Sequence, residues 1–443
     1  MNNKQQQLSS KQSKDSSILP GYSVLAKCMI GSGLLSLAFT VKDSGWVIGL
    51  LCCVVAAAAT YLSLHLLCVV AVYFKKHEVE KSLQSQPLSF LRISSLLSPR
   101  MQPVVDVAIA LNCLGAGSAY LIFVASLAYD LYKEVVLSKK TGAAAGAGTD
   151  DLVDSFVFSL GVMVLVVGCF AYLCFQQAVS NTKIFNIVGL LAMLYVVLLT
   201  IVYVDWNPQE PTSMWPSDVT AVIDRLPTFI FAFTCHQNLF GVIDEFNAPS
   251  VKRVSLLAGL ATLTGFLLFT ICIIFPYGTF GGRVADNFLK NYLASDDHEI
   301  DYAAFVGCIA ACVAVAISFP LQMLPMRRSL TALIYGTKGV AADQEKRVRF
   351  MLSATVVLST LGISVLAVKF FKDALSQTMS ITGLIGGNML CFVFPSWLYI
   401  QAVKQQLIPP HATSRSLYLA ACGLLIFSLA LYPLCFIAKL KLI

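Results

Sequence analysis

Lys27-Cys28-Met29-Ile30-Gly31-Ser32-Gly33-Leu34-Leu35-Ser36-Leu37 lies in the middle of the chain's first apolar stretch, Tyr22 to Ile48. That stretch is apolar enough to enter a bilayer, yet it carries a lysine and, at mid-span, two glycines flanking a serine. Neither feature suits a plain anchor. In hydrocarbon an unpaired backbone N–H or C=O costs several kcal/mol, so a helix opens there only where the freed groups face protein or a water-filled cavity. An interrupted helix at this place predicts a binding site inside the membrane.

Composition points the same way. The 443 residues are 57% hydrophobic and only 12% charged, with a mean hydropathy of +0.75, which leaves too little charge to solvate a globular surface of this size. The chain reads as an all-α polytopic membrane protein. Its 14 cysteines, from Cys28 to Cys435, fall inside apolar segments, where they read as small packing residues rather than disulfides or zinc ligands. Residues 1–17 are rich in Gln, Ser and Lys with no apolar core. No cleavable signal peptide is expected there, and 1–19 reads as a disordered cytosolic tail.

Apolar stretches of about 20 residues predict eleven spans, near 20–41, 46–74, 103–132, 154–175, 184–204, 226–246, 253–276, 302–324, 349–368, 379–403 and 414–437. With a cytosolic N-terminus most of the 31 Lys and Arg fall on the inside, among them Lys75, Lys76, Arg253, Arg327, Arg328, Lys346 and Arg347. The positive-inside rule favours that orientation and puts the C-terminus outside. The run Thr141–Thr149 is Gly/Ala-rich and reads as a flexible outer loop. The expected organisation is the tail at 1–19, a first five-helix repeat at 20–205, a second, inverted repeat at 206–403, and an eleventh helix at 404–443.

A second stretch repeats the pattern of the first. Thr228-Phe-Ile-Phe-Ala-Phe-Thr-Cys-His-Gln-Asn-Leu-Phe-Gly-Val-Ile-Asp-Glu-Phe246 carries its polar groups at mid-span, in Thr234, Cys235, His236, Gln237 and Asn238. Spans one and six occupy matching places in the two halves. Paired interrupted segments of this kind point to a midplane transport site. Taken singly, either stretch fits interface glycines and a packing histidine equally well.

Ile30-Gly31-Ser32-Gly33-Leu34-Leu35-Ser36-Leu37, followed by Asp43-Ser44-Gly45-Trp46, resembles the first-helix signature of the amino acid/auxin permease family. Phe233-Thr234-Cys235-His236-Gln237-Asn238 resembles its sixth-helix motif, and Pro320-Leu321-Gln322-Met323-Leu324-Pro325-Met326-Arg327 the end of its eighth helix. Ile381-Thr382-Gly383 with Phe394-Pro395 is similar to its tenth. The resemblance implies a LeuT-like fold of five plus five inverted helices and one extra, with an amino acid held between helices one, three, six and eight. Gly31, Ser32 and Gly33 are then expected to bring backbone N–H groups to an α-carboxylate, and carbonyls near Phe233 and Thr234 to accept from an α-ammonium. Side-chain selectivity falls to cavity positions such as Asn112, Tyr120, Cys235 or Gln237.

Coupling has two candidates. His236 is the proton carrier that an imidazole's titration range suggests for an acidic compartment. Lys27 is the other. In sodium-coupled relatives the position four before the first glycine holds an asparagine that helps coordinate sodium; a lysine there supplies a fixed positive charge, with a helix-eight partner expected near Ser318. The alternative for Lys27 is a side chain snorkelling to the cytosolic interface. Asp106 reads as structurally paired near a span end, and His65 as a packing residue.

Enzyme classes are disfavoured, since the chain has no HExxH, GxSxG or P-loop. No catalytic residue, metal site, cofactor or nucleic-acid partner is expected. The resemblance implies a secondary amino acid transporter, sodium-independent and proton-linked, in contact with lipid and most similar to the fungal vacuolar members that export from an acidic lumen. Its alternatives are an amino acid-sensing receptor with the same pocket, and a sodium-coupled importer of the plasma membrane.

Overall fold

In the computed structural model, the described residues are 18–80, 88–137, 149–175, 182–208, 210–246, 249–293, 301–336, 340 and 343–442. The expected tail and most of the Gly/Ala loop lie outside them. Among the described residues every regular element is helical: α1 Ile18–Met29, α2 Ser32–Glu80, α3 Phe90–Leu97, α4 Gln102–Tyr132, α5 Thr149–Phe175, α6 Thr182–Val202, α7 Val219–Ala232 and α8 His236–Asp244. They continue as α9 Val251–Phe280, α10 Leu289–Leu293, α11 Tyr302–Tyr335, α12 Glu345–Phe370, α13 Ala374–Thr382, α14 Phe394–Lys404 and α15 Arg415–Leu442. Between α13 and α14 the chain stays wound as two π segments, Gly383–Gly387 and Met389–Val393. Nine described helical stretches are long and apolar enough to cross a membrane.

α2 differs from the expected short loop between the first two spans. At 49 residues a straight helix would be about 74 Å long, more than twice the hydrocarbon thickness. It bends at Gly45 (φ 71°, ψ 168°), a conformation that excludes most side chains. Space excludes them too, because a Cβ at Gly45 would come within 2.8 Å of the Trp215 backbone. The loop before α7 is thereby tied to the bend, with Trp46 N–H donating to Ser213 O at 3.0 Å and Val47 N–H to Met214 O at 3.1 Å.

Helix starts follow local chemistry. Asp218, Ser250 and Asp301 each accept from backbone N–H groups in the first turn of α7, α9 and α11, which satisfies donors that have no partner within the helix. Pro227 inside α7 removes the N–H that would bond Ile223 O. That carbonyl accepts instead from Cys435 Sγ of α15 at 3.4 Å.

The most extensive pairings are α4 with α11 and α2 with α9. Around that core, Leu165, Leu263, Leu358 and Ile426 are more than half exposed. A girdle of such residues suits lipid and not water. The fold is an all-helical membrane bundle, and its two helix breaks, between α1 and α2 and between α7 and α8, meet at the centre.

Candidate functional site

The helical ladder opens at Ile30–Gly31. Gly31 N–H turns back to Met29 O at 2.9 Å and Leu34 N–H reaches Gly31 O at 3.2 Å, so α1 ends and α2 begins within three residues. The second opening is at Phe233–Cys235, between α7 and α8. The two openings abut. A Cβ on Gly33 would lie 2.8 Å from Ala232 Cα, so the absent side chain lets the backbones pack together. Two helix N-termini and two C-termini therefore converge, offering partial positive and partial negative charge side by side. An α-carboxylate and an α-ammonium need that pair of environments.

A cavity of about 440 Å³ approaches this centre from the end of the bundle that carries Arg328 and the 88–91 segment. Lys27, Asp106 and Ser318 are on its wall. A narrower pocket of about 20 Å³ lies beyond it, against Gly31, Ser32, Gly33, Asn112, Ala116 and Thr234. Cys28, Tyr120, Gln237 and Gln322 border both. Across this throat Gln322 Nε2 donates to Tyr120 OH at 3.3 Å, linking α11 to α4.

Cys28 joins the two openings. Its thiol lies 3.6 Å from Thr234 O, and it accepts from Asn238 Nδ2 at 2.9 Å and more loosely from Gln237 Nε2 at 3.8 Å. Thr234 Oγ1 is turned away to Ile230 O at 2.7 Å. Ser32 Oγ and Gln237 Oε1 are buried without a partner.

Lys27 is 6% exposed, and Nζ donates to Ser318 Oγ of α11 at 3.1 Å. The ammonium therefore points into the bundle; it does not snorkel to the membrane surface. Its room comes from Gly189 of α6, where a Cβ would collide with Lys27 Cε. Gly189 was invisible to sequence reasoning, because a glycine in an apolar run carries no sign of what faces it.

Three expected residues turn their side chains away from both cavities. Phe233 is fully buried and packs edge-on against Phe269, ring centroids 4.8 Å apart. His236 is also fully buried, with Nε2 2.7 Å from Ser63 Oγ of α2. It borders neither cavity. A proton carrier must be reached by water, so this geometry speaks against the carrier reading and for a hydrogen bond that seats α8 on α2. Cys235, a selectivity candidate, is likewise buried off the cavity. Asp106 is buried on the cavity wall, hydrogen-bonded to Ser329 with Oδ2 left unpartnered; it is paired through one oxygen and does not snorkel. His65 Nδ1 bonds Ser255 Oγ at 2.8 Å, as a packing residue does.

At the opposite end ion pairs bridge the helices. Arg225 of α7 meets Asp43 of α2 at 2.9 Å, donates to Ser376 Oγ of α13 at 2.8 Å, and lies 5.0 Å from the Phe39 ring centroid. Next to it, Asp224 pairs with Lys439 of α15 at 2.6 Å. Three elements, α2, α13 and α15, are held to one turn of α7.

The sequence profile of the family described as "Transmembrane amino acid transporter protein" matches residues 14–441. The chain is 25% identical over 423 residues to vacuolar amino acid transporter 5 of Schizosaccharomyces pombe, covering 94% of this chain and 93% of that one. To vacuolar amino acid transporter 5 of Saccharomyces cerevisiae it is 26% identical over 326 residues, 72% of this chain and 67% of the relative. Among solved structures, MhsT in complex with L-phenylalanine superposes with a TM-score of 0.56 at 14% identity, over 96% of this chain and 98% of that one. At that identity the likeness concerns the fold alone.

Proposed function

The chain belongs to the transmembrane amino acid transporter family, and from that premise we propose that it is a secondary carrier of amino acids working by alternating access. The observation that carries this reading is the meeting of two helix breaks at a polar pocket that is reached from one end of the bundle. Alternating access needs a central site with one end open and the other shut. The cavity beside Lys27 supplies the open end, and the Arg225–Asp43 and Lys439–Asp224 pairs supply the closure. On the positive-inside orientation the open end is cytosolic.

The proposed architecture has eleven crossings. α1 with the first leg of α2 makes the first, the rest of α2 the second, and α7 with α8 the sixth. Residues 20–205 and 206–403 form the inverted repeats, with 404–443 outside them. Both halves then contribute one broken helix to the site, as in transporters built from inverted repeats.

Substrate is held by Gly31, Ser32, Gly33, Thr234 and Gln237, with the carboxylate at the N-terminus of α2 and the ammonium at the carbonyls near Phe233 and Thr234. The α2 terminus and Tyr120 OH, 3.7 Å from the Cβ position of Gly31, favour that orientation. Lys27 with Ser318 takes the place that sodium occupies in ion-coupled relatives, and a proton gained and lost by this ammonium is the coupling step. A fixed cation in a poorly screened site repels sodium. The fungal relatives' names favour the vacuolar membrane as the address, and export to the cytosol is the direction we propose.

Purified protein in liposomes tests the carrier reading. Accumulation of a labelled amino acid down an imposed proton gradient supports it. Binding without flux would make the chain a receptor with the same pocket.

A further inference from the structure

The inner pocket holds a polar group that no contact within the protein explains. Asn112 of α4 is 2% exposed, and its Oδ1 has no hydrogen-bond partner. It borders the pocket. A buried carboxamide left unmatched is unfavourable, so its position points to a partner that arrives with the cargo. Gln237 Oε1 and Ser32 Oγ are in the same condition on the same pocket.

Placement decides which part of the cargo Asn112 would meet. Asn112, Ala116 and Tyr120 succeed one another by single helical turns along one side of α4, all bordering the pocket. Tyr120 OH is at the Gly31 end. Asn112 is eight residues away, about 12 Å along the helix axis, with the small Ala116 between. The backbone end of an amino acid belongs at Gly31, so Asn112 faces the side-chain end. Nor can α4 withdraw there, because it is seated on Gly386, where a Cβ would come within 2.6 Å of Asn112 Cα. Among the residues bordering the inner pocket none is charged.

We propose that the cargo is a neutral amino acid whose side chain ends in a carboxamide or hydroxyl, and that Asn112 reads that group. This rests on the carrier reading above and narrows its substrate. A carboxamide both donates and accepts, so it matches glutamine, asparagine, serine or threonine. An aliphatic cargo leaves it buried and unmatched, and a site built around a hydrogen bond rejects the analogue that lacks the group. A charged side chain would be desolvated without a counter-charge.

The test is flux of labelled glutamine, serine, leucine, phenylalanine, glutamate and lysine into liposomes holding the full chain, or its Asn112→Leu or Asn112→Gln variant. The expected result is glutamine and serine favoured over the other four by about tenfold, the effect of one buried hydrogen bond. Asn112→Leu is expected to bring the glutamine-to-leucine flux ratio close to unity, and Asn112→Gln to keep the preference. Should Asn112→Leu fail to fold, the wild-type panel decides alone. Preference for leucine, phenylalanine, glutamate or lysine, or an unchanged ratio in an active Asn112→Leu carrier, overturns the proposal. Flux of none of the six overturns the carrier reading itself, and this proposal with it.

Discussion

Lys27 Nζ donates to Ser318 Oγ across 291 positions of sequence, at 3.1 Å. The bond ties the last turn of α1 to α11, close to the first helix break. An ammonium has three donors. Lys27 also borders the cavity, so one side chain touches both the bundle and the water path. A coupling residue needs both contacts.

Gly189 makes the first prediction, because a Cβ there would strike Lys27 Cε. Gly189→Ala should lower transport by about tenfold, the cost of shifting one charged hydrogen bond. Gly161, whose Cβ position has nothing within 4 Å, is the control, and Gly161→Ala should transport normally. Equal flux in both variants would remove Gly189 from the account.

Gly31 and Gly33 should part company on substitution. The Cβ position of Gly31 meets only Tyr120 OH, at 3.7 Å, an ordinary contact. Gly31→Ala should fold normally and weaken substrate binding, since the added carbon enters substrate space. At Gly33 the obstacle is the α7 backbone, so Gly33→Val should lower thermal stability as well as uptake. A melting temperature unchanged in Gly33→Val would contradict this packing.

His236 should behave as a structural residue. With Nε2 bonded to Ser63 and no face on either cavity, His236→Gln is expected to keep the wild-type pH profile of transport while losing stability, by about 1–3 kcal/mol for a broken buried hydrogen bond. A flattened profile between about pH 5 and 7 would restore the carrier role that the titration range of an imidazole suggests.

Arg225 and Asp43 supply a charge-swap experiment. Arg225→Asp or Asp43→Arg alone places like charges together in a half-buried contact and should depress flux about tenfold through failure of outer closure. The double swap should recover part of it. A double variant no better than either single one would show that the pair does not close the outer end.

The bundle and its central break were legible because both have a linear signature. Long apolar runs give spans, and Gly31-Ser32-Gly33 and Thr234-Cys235-His236 mark interrupted ones. The pairing of Lys27 with Ser318 followed from the resemblance to sodium-coupled relatives, and the structure has that bond. Which way a residue faces was not legible. Consecutive residues on a helix are turned about 100° from one another. So Gln237 and Asn238 reach the cavity while His236 turns to Ser63, and nothing in the order His-Gln-Asn says which. Long-range packing also leaves no local trace, as Gly189 against Lys27 and Gly33 against Ala232 both illustrate. The bend at Gly45 was hidden for another reason, since the helix carries on through it with one residue in the left-handed region.

The most direct test of the central claim is amino acid flux into liposomes under an imposed proton gradient, with sodium present or replaced by choline, for the wild type and Lys27→Met. The account predicts equal wild-type flux in both media and a loss of about tenfold or more in Lys27→Met, the equivalent of one buried charged hydrogen bond. Wild-type uptake abolished by choline, or a Lys27→Met carrier as active as the wild type, would contradict it.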